Sequence, residues 1–170
     1  LLDDPHRQGA NRSCFLDAEG FLTKPLPLIE EGVFRNFLYH VESANKENKS
    51  STGHAVRGYS GGISTRSHNL VWPTGELNLE QLCAQNSKCL LVTQLEGQAG
   101  CNPVSGDISI GVQGFLIENG RRIQSVDSIT LAGNFFDVLQ NIRGSGNAYQ
   151  PELTHIFIPA LLIDGLTVSA

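Results

Sequence analysis

The residue types able to do chemistry in this chain are five histidines, four cysteines, several serines and one glycine-interrupted segment built around Asp107. The histidines are His6, His40, His54, His68 and His155. No two stand four apart, the spacing by which one helix turns two imidazoles toward a zinc ion. His54 and His68 flank a Gly/Ser-rich loop and could meet across it, but loop histidines more often face solvent, so the spacing predicts no metal site in the chain. His155 leads into the apolar Ile156-Phe157-Ile158 and reads as a strand residue with local hydrogen bonds. Cys14, Cys83, Cys89 and Cys101 follow neither a CxxC spacing nor the dense pattern of a small secreted domain. They are expected to be reduced and unligated, as in a cytoplasmic protein.

The serines provide no nucleophile elbow. Gly58-Tyr59-Ser60-Gly61-Gly62 lies in a polar loop instead of between a strand and a helix, and it lacks the Gly-Lys-Ser/Thr ending of a phosphate cradle, so it reads as a flexible turn. The most unusual pattern is Val104-Ser105-Gly106-Asp107-Ile108-Ser109-Ile110-Gly111-Val112-Gln113-Gly114-Phe115, an alternating strand broken by Gly, Asp and Ser. Two readings stand: a bulge that holds Asp107 beside a concave surface, or an Asx-type turn capped by Asp107.

The elements that must position these residues are mostly strands. The 18 glycines fall between short β-branched or alternating runs and mark turns. Leu28-Ile29-Glu30-Glu31-Gly32-Val33-Phe34 and Phe115-Leu116-Ile117-Glu118-Asn119-Gly120-Arg121 each read as a hairpin, with Asn119-Gly120 the strongest type I′ signal, and Leu161-Leu162-Ile163-Asp164-Gly165-Leu166-Thr167-Val168 is a looser third echo. Two helices are predicted. One lies near 78–88 with Asn78 as N-cap, the other near 134–143 with Asn134 as N-cap and Gly144 as stop. The polar stretch 42–62 is predicted to be a mobile loop. Residues 154–163 form the longest apolar stretch, expected to be either a buried central strand or a contact face. The fold class is α+β, mainly β: one antiparallel, strand-rich domain over 1–170 with hairpins and two short helices. No apolar run approaches the roughly 18 residues of a membrane span, and a net charge of −5 with scattered Lys and Arg predicts no direct nucleic-acid contact.

With these elements placed, the chain resembles the TldD/PmbA family. The resemblance rests on Leu91-Val92-Thr93-Gln94-Leu95-Glu96-Gly97-Gln98, Val104-Ser105-Gly106-Asp107-Ile108-Ser109, Gly114-Phe115-Leu116-Ile117-Glu118-Asn119-Gly120 and Ile129-Thr130-Leu131-Ala132-Gly133-Asn134, in that order. It is extended by Asp17-Ala18-Glu19-Gly20 before Leu28-Ile29-Glu30-Glu31-Gly32, by Ser51-Thr52-Gly53-His54-Ala55, by Gly144-Ser145-Gly146-Asn147, and by the run from Pro159 to Val168. Gly106-Asp107 with Ser109 and Gly114-Phe115 is more similar to the PmbA branch than to the TldD branch.

The resemblance implies a β-rich carboxy-terminal domain whose amino-terminal partner lies elsewhere in a longer protein, and the opening Leu1-Leu2-Asp3-Asp4-Pro5 reads like text from the middle of a protein. It implies a peptidase or peptidase-partner subunit working in peptide maturation or degradation, with a TldD-like subunit or a second copy as partner and a peptide as substrate. In the TldD branch a His-Glu-x-x-x-His helix and a later cysteine hold zinc. This chain has no such helix, and 148–155 contain no cysteine, so zinc is expected only in a complete TldD-type assembly, where His155 could stand in as third ligand. No catalytic residue is assigned. Gly106, Asp107, Ser109 and Asn134 are the candidate peptide-binding residues, beside strands that would receive an extended peptide by edge pairing.

Overall fold

The computed structural model describes residues 1–97, 100–149 and 154–169. Residues 150–153, within the segment in which the family resemblance looks for a cysteine, lie outside the described residues. The first part of the chain carries β1 (Leu2–Asp3), β2 (Leu26–Pro27), β3 (Ile29–Glu30), β4 (Val33–Phe34), α1 (Val41–Lys46), β5 (Ala55–Arg57), β6 (Ile63–Thr65) and β7 (Leu70–Val71). It continues with α2 (Leu79–Cys83), β8 (Lys88–Glu96), β9 (Asp107–Glu118), β10 (Arg121–Asn134), α3 (Phe135–Gln140), β11 (Ile142–Tyr149), β12 (Ile156–Phe157), β13 (Pro159–Ile163) and β14 (Thr167–Ser169). Strands dominate and their pairing is almost wholly antiparallel, as the alternating runs predict; β12 with β7 is parallel.

The chain divides into two compact units. Unit 1 is Leu1–Pro73 with Tyr149–Ile158, and unit 2 is Thr74–Ala148 with Pro159–Ala170. Neither boundary is marked by a linker-like composition, so the division leaves no trace in the sequence.

Unit 1 holds the sheet β12-β7-β1-β2 and the hairpins β3–β4 and β5–β6. Its interior is unusually polar. Beside Leu26, Tyr39, Ala44 and Ala55, the buried residues include Asp3, Asp17, Thr23, His54, His68 and Asn69. Glu31 and Gly32 turn β3 into β4 with φ of 50° and 76°. The expected loop at 42–62 instead contains α1 and β5. The first turn of α1 is held from outside the helix by Glu19, whose Oε2 accepts from Val41 N–H at 2.8 Å, and from within by the N-cap contact of His40 N–H to Ser43 Oγ at 3.1 Å. The first of these contacts spans 22 residues, which local composition does not reveal. Gly58-Tyr59-Ser60-Gly61-Gly62, spaced Gly-x-Ser-x-Gly, forms the loop between β5 and β6, and its Tyr59 is fully exposed. A hairpin loop is not the strand-to-helix turn that a nucleophile elbow requires.

Unit 2 is built on the sheet β14-β10-β9-β8, with β11 and β13 paired beside it. The β9–β10 hairpin turns at Asn119 and Gly120, both at positive φ (49° and 75°), the conformation a type I′ turn demands. Ile110, Val112 and Gly114 alternate onto the buried face of β9. Helix α2 starts at Asn78, whose Oδ1 accepts from Gln81 N–H at 2.9 Å while Gln81 Oε1 accepts from Asn78 N–H at 3.0 Å. Helix α3 starts at Asn134. Both caps match the sequence expectation, and both helices are shorter than predicted because the following chain enters β8 and β11.

Two expectations are corrected. The third echo is no hairpin: β13 pairs with β11 and β14 pairs with β10, so the segments flanking Asp164-Gly165 belong to different sheets. The apolar stretch 154–163 is not one central strand either. It divides into β12 and β13, one in each unit, with Ile156 and Ile158 exposed and Phe157 half-buried.

Candidate functional site

The polar interior of unit 1 converges on Asp3. β1 pairs Asp3 with Leu26 on one side and Leu70 on the other, which fixes its side chain within the sheet. His54 follows Gly53 at the entry to β5, and the His54 carbonyl accepts from Arg66 N–H at 3.1 Å, holding the approach to His68 beside it. Asp17 steadies the other flank, since its Oδ2 accepts from Ala55 N–H at 3.1 Å and its Oδ1 from Glu19 and Phe21 N–H at 2.9 Å each.

Within this frame, His54 Nε2 lies 2.8 Å from Asp3 Oδ2, and His68 N–H donates to the same oxygen at 2.9 Å. The His68 ring turns Nδ1 toward Asp3 Oδ2 at 3.5 Å, too long for a full hydrogen bond. The two imidazoles stand 4.6 Å apart, tilted by 54°. Thr52 Oγ1 faces His54 Nδ1 at 2.8 Å and accepts from Tyr39 N–H at 2.7 Å. The side chains of Asp3 and His54 are fully buried, and that of His68 is 9% exposed. Burial by itself would raise the Asp3 carboxyl, but the hydrogen bonds from His54 and His68 outweigh it and hold the group well below the usual carboxylate range. Asp3 Oδ1 and His68 Nδ1 have no hydrogen-bond partner although both are buried, a situation that costs about 1–3 kcal/mol per group. Asp3, His54 and His68 each present a ligand atom, and these atoms lie within 4.8 Å of one another, a group among the described residues that could hold a metal ion.

The four residues singled out for peptide binding lie in unit 2. Three of them meet in one corner. Asp107 accepts from Ser105 Oγ at 2.6 Å and from Asn134 Nδ2 at 3.2 Å, Asn134 Nδ2 also donates to the Ser105 carbonyl at 2.9 Å, and Asn134 Oδ1 accepts from Phe136 N–H at 2.9 Å. Gly106 carries this turn at a φ of 80°, with no room for a Cβ against the Phe136 ring. Ser109 lies two residues further along β9, opposite Ala132, with its side chain exposed. The Asx-type turn expected of Asp107 is made instead by Asn102, whose Oδ1 accepts from Val104 N–H at 2.9 Å and Ser105 N–H at 3.2 Å, while Asp107 ties the turn to Asn134 through side chains. Asp107 is exposed, and the Ser105 hydroxyl first, then the Asn134 amide, keep its carboxyl below the ordinary value.

All 170 residues match the family model described as the PmbA/TldA metallopeptidase C-terminal domain. The chain belongs to the PmbA/TldD family. It is 36% identical over 170 residues to the metalloprotease PmbA homolog of Haemophilus influenzae, covering 99% of this chain and 35% of that protein. To metalloprotease PmbA of Escherichia coli O157:H7 it is 37% identical over 147 residues, covering 86% of this chain and 30% of that one. The crystal structure of TldE from Thermococcus kodakarensis superposes with a TM-score of 0.90 at 28% identity, covering 99% of this chain and 39% of that one. The chain thus spans about a third of the length of the curated relatives it matches.

For a PmbA/TldD carboxy-terminal domain, the sequence singled out the unit 2 corner and passed over the unit 1 cluster. His54 and His68 do meet, but inside the unit instead of at the surface, and Asp3 joins them from 51 and 65 residues away. The expectation that no ligand set can be assembled from these spacings therefore fails on geometry. His155 takes no part in the cluster; its carbonyl accepts from Leu70 N–H at 2.8 Å. The one local signal for the buried pair is Gly53, at a φ of 75° with Leu22 O 3.0 Å from where its Cβ would stand, which forces the chain inward just before His54.

Proposed function

We propose that this chain is the peptide-binding and assembly domain of a PmbA/TldD-type peptidase or peptidase-partner subunit acting in peptide maturation or degradation. The observation that carries the reading is the outer edge of β8. This strand runs for nine residues at the end of its sheet and pairs only with β9 among the described strands. Its outward backbone groups are available to an extended peptide, which would add a fifth strand by edge pairing. The corner of Gly106, Asp107, Ser109 and Asn134 belongs to the same sheet, beyond the 111–118 stretch of β9 that pairs with β8, and would meet only a peptide that extends past the end of that strand. Assembly with a TldD-like subunit or a second copy is supported by the phenylalanines, six of eight of which are at least 45% exposed. The four cysteines are unpaired, which accords with a cytoplasmic location. Among the described residues no helix is long and apolar enough to cross a membrane. Peptidase zinc of the TldD type would belong to the complete assembly.

A second reading is favoured by the Asp107 corner. Its side chains already satisfy one another, as they would in a structural domain that touches no peptide. Fluorescence anisotropy with a labelled extended peptide separates the two. Thr93 falls in the register shift between Val92 and Gln94 and has no ladder partner on β9. Thr93→Pro should therefore leave the sheet folded while spoiling its edge for pairing, weakening peptide binding by about tenfold or more. Unchanged binding in a folded Thr93→Pro chain would remove β8 from the function.

A further inference from the structure

Two imidazoles and a carboxylate are a donor set suited to zinc and the neighbouring divalent transition metals. Around a tetrahedral ion with bonds of about 2.0–2.1 Å, ligand atoms stand roughly 3.4 Å apart. The contacts to Asp3 Oδ2, 2.8 Å from His54 Nε2 and 3.5 Å from His68 Nδ1, bracket this spacing, and the ligand atoms of all three residues lie within 4.8 Å of one another. The outer contacts fit as well. A metal-bound histidine is held through its second ring nitrogen, and Thr52 Oγ1 stands 2.8 Å from His54 Nδ1 for that purpose, itself fixed by Tyr39.

A purely hydrogen-bonded cluster explains the contacts of His54 and of the His68 N–H to Asp3 Oδ2, and that of Thr52 to His54. It leaves Asp3 Oδ1 and His68 Nδ1 buried without partners, in a unit whose other polar interior groups at Asp17 and Asn69 are bonded. An ion placed by these contacts engages His68 Nδ1 directly, and engages Asp3 Oδ1 as well when the carboxylate binds through both oxygens.

We propose that Asp3, His54 and His68 bind a divalent transition-metal ion of the zinc class within unit 1. Three protein ligands leave a fourth position for water. The ion enters beside His68, the one ligand with a solvent-exposed side-chain surface. This site uses none of the residues assigned to peptide binding and stands independently of that role.

The test uses the chain after dialysis against a chelator, followed by addition of zinc, or of cobalt as a spectroscopic probe, and removal of free metal. Stoichiometric retained zinc, a higher Tm with zinc than without, and the visible bands of tetrahedral cobalt are expected. His68→Gln, at the least buried ligand, should stay folded by circular dichroism and lose the metal. Because a variant at this buried cluster can fail to fold, the imidazole nitrogens of the unaltered chain supply a second readout. Zinc should move the His54 Nε2 and His68 Nδ1 signals into the metal-bound range and leave His6, His40 and His155 in place. A folded chain that retains only a small fraction of an equivalent overturns the proposal. So does zinc that leaves the His54 and His68 signals unmoved, or binding undiminished in a folded His68→Gln.

Discussion

Asp107 and Asn134 face each other across the β9–β10 ladder, and their hydrogen bonds join the start of one strand to the start of α3. Removing the cap with Asn134→Ala should cost about 1 kcal/mol, the usual value for losing an Asn N-cap, and should show as a lower Tm with the sheet intact. The same corner has a pH dependence of defined sign. A carboxyl whose folded value lies below its unfolded 3.8 contributes stability above that value and loses it as the pH falls through the folded value. The Asn134 side-chain and Phe136 amide resonances should therefore hold steady from neutral pH down to about 4 and shift below it. In Asp107→Asn that acid shift should vanish. Sequence made this corner legible because Gly106, Asp107 and Asn134 act through turns and caps, which are local chemistry. Asp3, His54 and His68 were not legible, since nothing local links an Asp-Asp-Pro opening to two loop histidines more than 50 residues away.

At the scale of elements, the signals that held were those a few adjacent residues can carry. Glu31-Gly32 and Asn119-Gly120 turn as expected, and Asn78 and Asn134 cap as expected. Pairing across distance was less readable. The residues around Asp164-Gly165 have the look of a hairpin, yet their strands find different partners, because hydrophobic pattern does not choose between sheets. Gly114 shows how tightly the central strand of unit 2 depends on one residue. A Cβ there would stand 1.9 Å from the Leu91 carbonyl oxygen, so β8 or β9 must shift to admit it. Gly114→Ala should cost about 1–3 kcal/mol, the range of an overpacked interior, readable as a lower denaturation midpoint. An Ala variant as stable as the parent would mean that the β8–β9 pairing is looser than described.

At the scale of the whole chain, each unit has a different character. Among its described residues unit 1 buries six polar or charged side chains beside Leu26, Tyr39, Ala44, Ala55 and Pro5, an interior that gains specificity from paired hydrogen bonds more than from apolar area. Unit 2 has an apolar interior of Leu82, Ile110, Val112 and Ile117 under a long antiparallel sheet. Both leave large apolar side chains in solvent: Phe15, Leu16, Phe21 and Leu22 gather around one turn of unit 1, and Phe135 and Phe136 open α3 in unit 2. Exposure on this scale is what the proposed assembly role would require, and the chain covers about a third of its curated relatives. The central claim, that the domain receives an extended peptide on the edge of β8, is tested most directly by amide hydrogen exchange with and without a bound peptide. Protection should rise in Lys88–Glu96 while β9, already paired on both sides over much of its length, changes little. Saturating peptide that protects some other segment and leaves Lys88–Glu96 unchanged would contradict it.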